Sequence, residues 1–172
     1  MAKRIEKIVS GGQTGVDRGA LDAAIDLGVP HGGWCPRGRR AEDGRVPARY
    51  ALVETAATAY AVRTERNVRD SDATLVLCVG APRRGTALTC DVARRLRKAL
   101  RVIDVADPPP LAELRRWITT SAIRVLNVAG PRESTQPDMQ RHARAFLIAL
   151  LGGARHAPAW PPPRRSPRER LG

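Results

Sequence analysis

Residues 73–79 read Ala-Thr-Leu-Val-Leu-Cys-Val, a run with no charge and no turn former. A strand built from it has no polar face to offer solvent, so it must be covered on both sides. That is the situation of a parallel strand between two helix layers. The rest of the chain supplies what such a strand needs. Apolar residues at helical spacing predict a helix over 16–27, with Val16, Ala20, Ala24 and Leu27 on one face and Gly28 as the stop. Further helices are expected over 59–69, over 86–100 (Leu88, Val92, Leu96 and Ala99 in register), over 111–120 after Pro108-Pro109-Pro110, and over 138–151. Short apolar runs over 5–9, 102–105 and 123–128 read as strands, whereas 31–49 reads as a surface loop with room for one short strand at its start and 50–55 is ambiguous.

Strands alternating with helices define a three-layer α/β, Rossmann-like fold with a doubly wound, mainly parallel sheet. At 172 residues, one domain is expected over 1–153. Residues 154–172 hold five prolines and five arginines without apolar periodicity, and read as a disordered tail.

In doubly wound sheets, ligands bind beyond the carboxyl ends of the strands, where the strand order reverses. Three loops meet that condition: 10–18, 80–86 and 129–135. In the first, Gly11, Gly12 and Gly15 free the backbone to approach a phosphate, Thr14 adds a hydroxyl, and Gln13 can bond a polar ligand edge. The same glycines are equally compatible with a tight turn alone, and Asp17 with a plain cap in the first helical turn. In the second, Gly85 and Thr86 open a helix with Thr89 one turn on, and Arg83 or Arg84 can supply charge. Thr86 as a simple cap explains that start as well. The third loop combines Asn127, Gly130, Arg132, Glu133 and Ser134, which also suit a capping arrangement. Arg39 belongs to an Arg-rich stretch over 37–40 that reads either as a clamp for a polyanion or as a loop pairing with Glu42 and Asp43. Arg63 and Asn67 share one helix face, turned to the crevice if that helix lies beside the first loop.

Composition narrows the classes. The net charge of +13 comes with 27 arginines and three lysines, a balance that a GC-rich genome produces, and six aromatics are poor material for stacking bases. Nucleic acid is therefore an unlikely partner. Cys35, Cys78 and Cys90 lack metal-ligand or disulfide spacing, no Ser/His/acid or Cys/His arrangement is legible, and no apolar run would cross a bilayer. A cytoplasmic protein with no metal site of its own is the expectation.

Taken together, Ser10-Gly-Gly-Gln-Thr-Gly-Val-Asp-Arg18, Gly33-Trp-Cys-Pro-x-Gly-Arg-x-Ala-Glu-Asp-Gly44, Arg63-Thr-Glu-x-Asn-Val68, Ser71-Asp-Ala-Thr74, Gly85-Thr-x-x-Thr89 and Val125 to Ser134 resemble the molybdenum cofactor carrier family. That family lies within a Rossmann-like group that includes the lysine-decarboxylase-like phosphoribohydrolases. The resemblance spans residues 5–151. It implies a non-catalytic, oligomeric (dimeric or tetrameric) binder of molybdenum cofactor, or of its oxyanion, that holds the ligand's phosphate in its glycine loops and serves molybdoenzymes. The phosphoribohydrolase pattern Pro-Gly-Gly-x-Gly-Thr-x-x-Glu ends in a carboxylate, where this chain has Thr89, and a hydroxyl does not replace that acid near neutral pH. A nucleoside monophosphate hydrolase or a nucleotide-sensing module is the alternative. The carrier loop has Gly where this chain has Arg84.

Overall fold

The computed structural model describes residues 5–152; the expected tail at 154–172 lies outside them. In chain order the elements are β1 (Lys7–Val9), α1 (Val16–Leu27), β2 (His31–Gly32), β3 (Trp34–Cys35), a 3-10 turn (Arg37–Arg39), β4 (Arg40–Ala41), β5 (Gly44–Arg45), β6 (Val53–Glu54), α2 (Tyr60–Arg69), β7 (Ala73–Cys78), α3 (Arg84–Arg95), β8 (Ala99–Asp104), α4 (Leu111–Thr120), β9 (Val125–Ala129) and α5 (Met139–Leu151). Five strands form one parallel sheet in the order β2-β1-β9-β7-β8. The uncharged run forms β7, an interior strand with all of its residues buried. Helices α1, α4 and α5 pack together on one face, and α2 packs on α3 across the sheet. The result is the expected three-layer, doubly wound α/β fold.

The main core lies between the sheet and the α1/α4/α5 layer, where Ile8, Leu75, Leu77, Leu126, Phe146 and Leu147 are fully buried or nearly so. A second, smaller core packs Cys35, Ala41, Val46, Tyr50 and Leu52 of the segment between β2 and α2 against Leu21 of α1. That segment, expected as a surface loop up to residue 49 and left ambiguous over 50–55, carries two short ribbons, β3–β6 and β4–β5. Its buried tyrosine and leucine, not any periodicity, hold it in place.

Helix α3 departs from the expected 86–100. It starts at Arg84 and ends at Arg95, and Ala99 and Leu100 belong to β8. Arg97 adopts a left-handed backbone, φ 54, and the Lys98 N–H closes on the Ala93 carbonyl at 2.9 Å, which turns the chain into the strand. No glycine marks the stop, so the apolar spacing ran on past it.

The strand order places the reversal point. Helix α3, which follows β7, and α5, which follows β9, lie on opposite faces, so the loops leaving these neighbouring strands part and open a crevice. β1 pairs with β9 on its other side, which brings the first loop to the same end. Read from β7 onwards and back through β1, the order becomes that of the doubly wound 2-1-3-4-5 sheet.

Candidate functional site

The crevice is a cleft of about 410 Å³, within the roughly 300–1,000 Å³ usual for small-molecule sites. All three loops, together with α2, line it. Of the residues expected to form a site, Gln13, Asp17, Arg63, Gly85, Thr86, Thr89, Gly130, Arg132 and Ser134 line the cleft. Gly11, Gly12, Thr14, Gly15, Arg39, Asn67 and Asn127 do not, and each of them has another occupation.

The first loop is largely filled by the protein itself. A Cβ at Gly11 would overlap the Arg63 guanidinium, which lies flat over that position. Gly12, at φ +77, faces Leu52 and Val46 of the second core, and its carbonyl accepts from Arg18 Nε at 3.1 Å. Gly15, at φ +80, leaves room for the Pro131 carbonyl oxygen, 2.4 Å from where a Cβ would stand. The Thr14 hydroxyl donates to Glu42 and accepts from the Glu133 N–H at 3.2 Å. Only Gln13 and Asp17 turn to the cleft.

Their surroundings are polar but incompletely satisfied. Gln13 Oε1 accepts from the N–H groups of Thr14 and Glu42 at 3.0 and 2.9 Å. Asp17 Oδ2 accepts from the Gln13 N–H at 3.2 Å and from Arg63 at 3.0 Å. Burial pushes the Asp17 carboxyl above its ordinary value, and the Arg63 guanidinium pulls against that shift. Among the described residues, Gln13 Nε2 and Arg63 Nε are buried side-chain nitrogens with no acceptor. Orphaned buried donors of this kind are rare and ask for an explanation.

The second loop is open. Helix α3 begins there with no side-chain cap, and no atom lies within 4 Å of where a Gly85 Cβ would stand. Of its first-turn N–H groups, those of Thr86 and Ala87 close on the Arg83 carbonyl at 3.1 and 3.3 Å, and the positive dipole end of the helix lies at the cleft. Among the described residues no carboxylate pairs with Arg83 or Arg84, both exposed at the mouth. Thr89, one turn in, spends its hydroxyl on its own helix, bonding the Gly85 carbonyl at 3.0 Å.

Glu42 ties the first loop to the third. It accepts from the Thr14 and Ser134 hydroxyls and from the Ser134 N–H at 3.3 Å, and lies 3.6 Å from Arg132. Burial pushes its carboxyl up, but the bonds from Ser134 and Thr14 outweigh that and hold it below its ordinary value. Asp43 pairs with both terminal nitrogens of Arg18 at 2.6 and 2.7 Å. These acids thus reach Thr14, Ser134, Arg132 and Arg18, not the arginines over 37–40 that the sequence offered as one alternative. Arg39 instead donates to the carbonyls of Val46, Pro47, Tyr50 and Leu52 and shapes the inserted segment. Asn67 makes a two-way bond with the Trp34 backbone at 2.7 and 3.0 Å, so only Arg63 of that pair faces the crevice. Asn127 is buried against the Thr74 hydroxyl.

Sequence reasoning passed over several lining residues. Tyr60, at the start of α2, lies with its ring between the guanidiniums of Arg40 and Arg132, 5.5 and 5.6 Å from the ring centre. It stands three positions before Arg63, a spacing that puts both on one helix face. Gln136 bonds the Val79 N–H and carbonyl, both at 2.9 Å, and so joins the third loop to the second. Nothing in the local sequence signals that link. Among the described residues, no three His, Cys, Asp or Glu come together as a metal site, and no helix is long and apolar enough to cross a membrane.

Fold and cleft define a doubly wound, Rossmann-like domain with an arginine-lined pocket at the switch point of its sheet. The profile of the circularly permutated YpsA SLOG family matches residues 8–151, and the chain belongs to that family. The permutation in the family's description agrees with the strand order, which becomes the 2-1-3-4-5 order when read from β7. No curated protein matches the chain. Among solved structures, a "Putative molybdenum carrier protein" from Syntrophus aciditrophicus superimposes with a TM-score of 0.81 at 42% identity, over 87% of this chain and 96% of that one. The family resemblance read from the sequence is borne out.

Proposed function

We propose that this protein is a non-catalytic carrier that holds molybdenum cofactor in the switch-point cleft, by its phosphate and polar ring edge, for protection or delivery. The observation that carries the reading is a set of donors unanswered among the described residues and belonging to the lining of one cavity: Gln13 Nε2, Arg63 Nε, the start of α3 with no side-chain cap, and the guanidiniums of Arg83 and Arg84. Donors of that kind fit an oxyanion, which accepts several hydrogen bonds at once and is favoured by the helix dipole. The name of the crystallised relative points to the same cargo. Gln13, Arg63, Gly85 and Thr86 would contact the phosphate, with Arg132 and Ser134 at the rim. The cofactor brings its own metal, and the chain's residues bind and orient it.

The absence of turnover is part of the proposal. Position 89 offers a hydroxyl already bonded within its helix, and Asp17, the one carboxylate lining the cleft, is bound to Arg63. Native mass spectrometry of the protein, incubated anaerobically with molybdenum cofactor and AMP together, tests the reading. A cofactor-mass adduct, lost in Gln13→Glu while the thermal melt stays cooperative, is the expected result. An AMP adduct or free ribose 5-phosphate, with no pterin bound, would replace it with a nucleotide site.

A further inference from the structure

We propose that the cleft end of the groove between α2 and α3 seats a flat nitrogen heterocycle, and that Leu88 is the residue on which it lies. The inference rests on the phosphate-binding reading above and names the class of ligand: a phosphate ester of a planar, fused heterocycle, not a bare oxyanion. Apolar spacing put Leu88 on the buried face of α3 with Val92 and Leu96. Val92 is buried as expected, against Val68 of α2, and Leu96 packs on the same cluster. Leu88 stands one turn earlier on that stripe, yet it is 39% exposed and lines the cleft. Its polar neighbours Thr86 and Thr89 are buried instead.

The two helices explain this inversion. Helix α2 leads into β7 and α3 leaves it, so both begin at the cleft end of the sheet. Tyr60, Thr64 and Val68 follow one another at four-residue spacing along α2, as Leu88 and Val92 do along α3. The apolar seam closed by Val68 and Val92 therefore continues towards the cleft as Thr64 and Leu88, with Tyr60 beyond them, and these three residues all line the cavity. Threonine is too short to cover the leucine, and the Tyr60 ring is engaged by the guanidiniums of Arg40 and Arg132. A single exposed leucine is ordinary on a surface. Val62, 36% exposed on α2, is of that kind and lies outside the cavity, whereas Leu88 carries a core stripe into it. A flat heterocycle matches such a place, because its face is apolar enough for leucine and its edge can bond the Thr64 and Tyr60 hydroxyls. Gly85 precedes Leu88 by three residues, about 5 Å along the helix axis. A phosphate at the start of α3 and a ring on Leu88 thus fit one small molecule.

Titration calorimetry with inorganic phosphate, ribose 5-phosphate and AMP, and anaerobic native mass spectrometry with titrated molybdenum cofactor, test the assignment. The wild type is expected to bind AMP or the cofactor at least about tenfold more tightly than either phosphate that lacks the heterocycle. Leu88→Ala keeps a good helix former at an exposed position and should melt with the wild type. It is expected to weaken the preferred ligand about tenfold and to leave inorganic phosphate and ribose 5-phosphate within about twofold. Leu88→Met should restore most of the affinity. Val62→Ala, which trims an exposed apolar residue outside the cavity, should change none of the four. A wild type without the preference, including one that binds none of the four, would overturn the proposal. So would an unchanged affinity in Leu88→Ala, an equal loss for ribose 5-phosphate, or the same loss in Val62→Ala. A Leu88-dependent preference for AMP with no cofactor adduct would fail the carrier reading alone; a cofactor adduct indifferent to Leu88→Ala would fail this one alone.

Discussion

The turn after β1 and the turn after β7 are built alike, each leaving a parallel strand and opening a helix through glycine, yet they have opposite fates. The first has three glycines, and each is taken up by the protein: by the Arg63 guanidinium, by Leu52 and Val46, and by the Pro131 carbonyl. The second has one glycine at the helix start, Gly85, with empty space around it and two unpaired arginines beside it. A glycine-rich loop is thus no guide to an open site. What decides is whether another segment reaches it first: α2, the inserted residues between β2 and α2, and the third loop each fill one of the first loop's glycine positions, and none of them fills the space at Gly85.

Substitutions sharpen this contrast, beginning where the effect is largest. Gly15→Ala forces a Cβ against a backbone carbonyl at a left-handed position and is expected to destabilise the fold by roughly 3 kcal/mol or more. Urea unfolding measures it, and a loss below about 1 kcal/mol would mean that the first loop is freer than its packing indicates. Glu42→Gln should cost about 2 kcal/mol, because it weakens the charged bonds that join the first and third loops. The Glu42 carboxyl lies below its ordinary 4.5 in the folded protein. Its stabilisation is therefore present above that value and fades as pH falls through the lower folded one. The gap between wild type and Glu42→Gln should accordingly be full near neutral pH and close as pH falls through the lowered folded value; a gap that persists in strong acid would assign it to packing.

Gly85→Ala, the counterpart of Gly15→Ala, is expected to leave stability unchanged or to raise it by up to about 1 kcal/mol, while weakening phosphate binding. A lower melting temperature would show that the second loop is also packed. Thr89→Val should change stability by no more than about 0.5 kcal/mol and phosphate affinity hardly at all, since that hydroxyl answers only its own helix. A clear fall in affinity by calorimetry would place Thr89 on the ligand.

Much of the fold was legible because its strongest signals are local. The uncharged run of β7 demanded two covering layers, and α1 and α4 keep the boundaries that their apolar spacing and flanking Gly28 and Pro110 set. The end of α3 was not legible, since Arg97 adopts a backbone normally given to glycine. For the cleft, the rule about strand ends located the three loops correctly. It could not tell that Thr14, Arg39, Asn67 and Asn127 serve partners up to 119 residues away. Polar side chains look alike in a sequence whether they meet a ligand or a distant carbonyl. The same long-range pairing left Tyr60 and Gln136 unforeseen.

The seat of β1 between β2 and β9 has a consequence for how the molecule is made. Ile8 pairs with Leu126, and the Ser10 hydroxyl donates to the Val128 carbonyl at 2.7 Å, across a separation of 118 residues. A ribosome adding about 5–20 residues per second leaves β1 and the apolar face of α1 without β9 and α5 for several seconds. Until then Gly15 lacks the Pro131 carbonyl it packs against, and the cleft lacks a wall. Contacts of such range also slow the final collapse. A ligand of the cleft can therefore bind only after β9 and the loop that follows it have been made, and the nascent β1–α1 unit is the stretch most in need of a chaperone's cover.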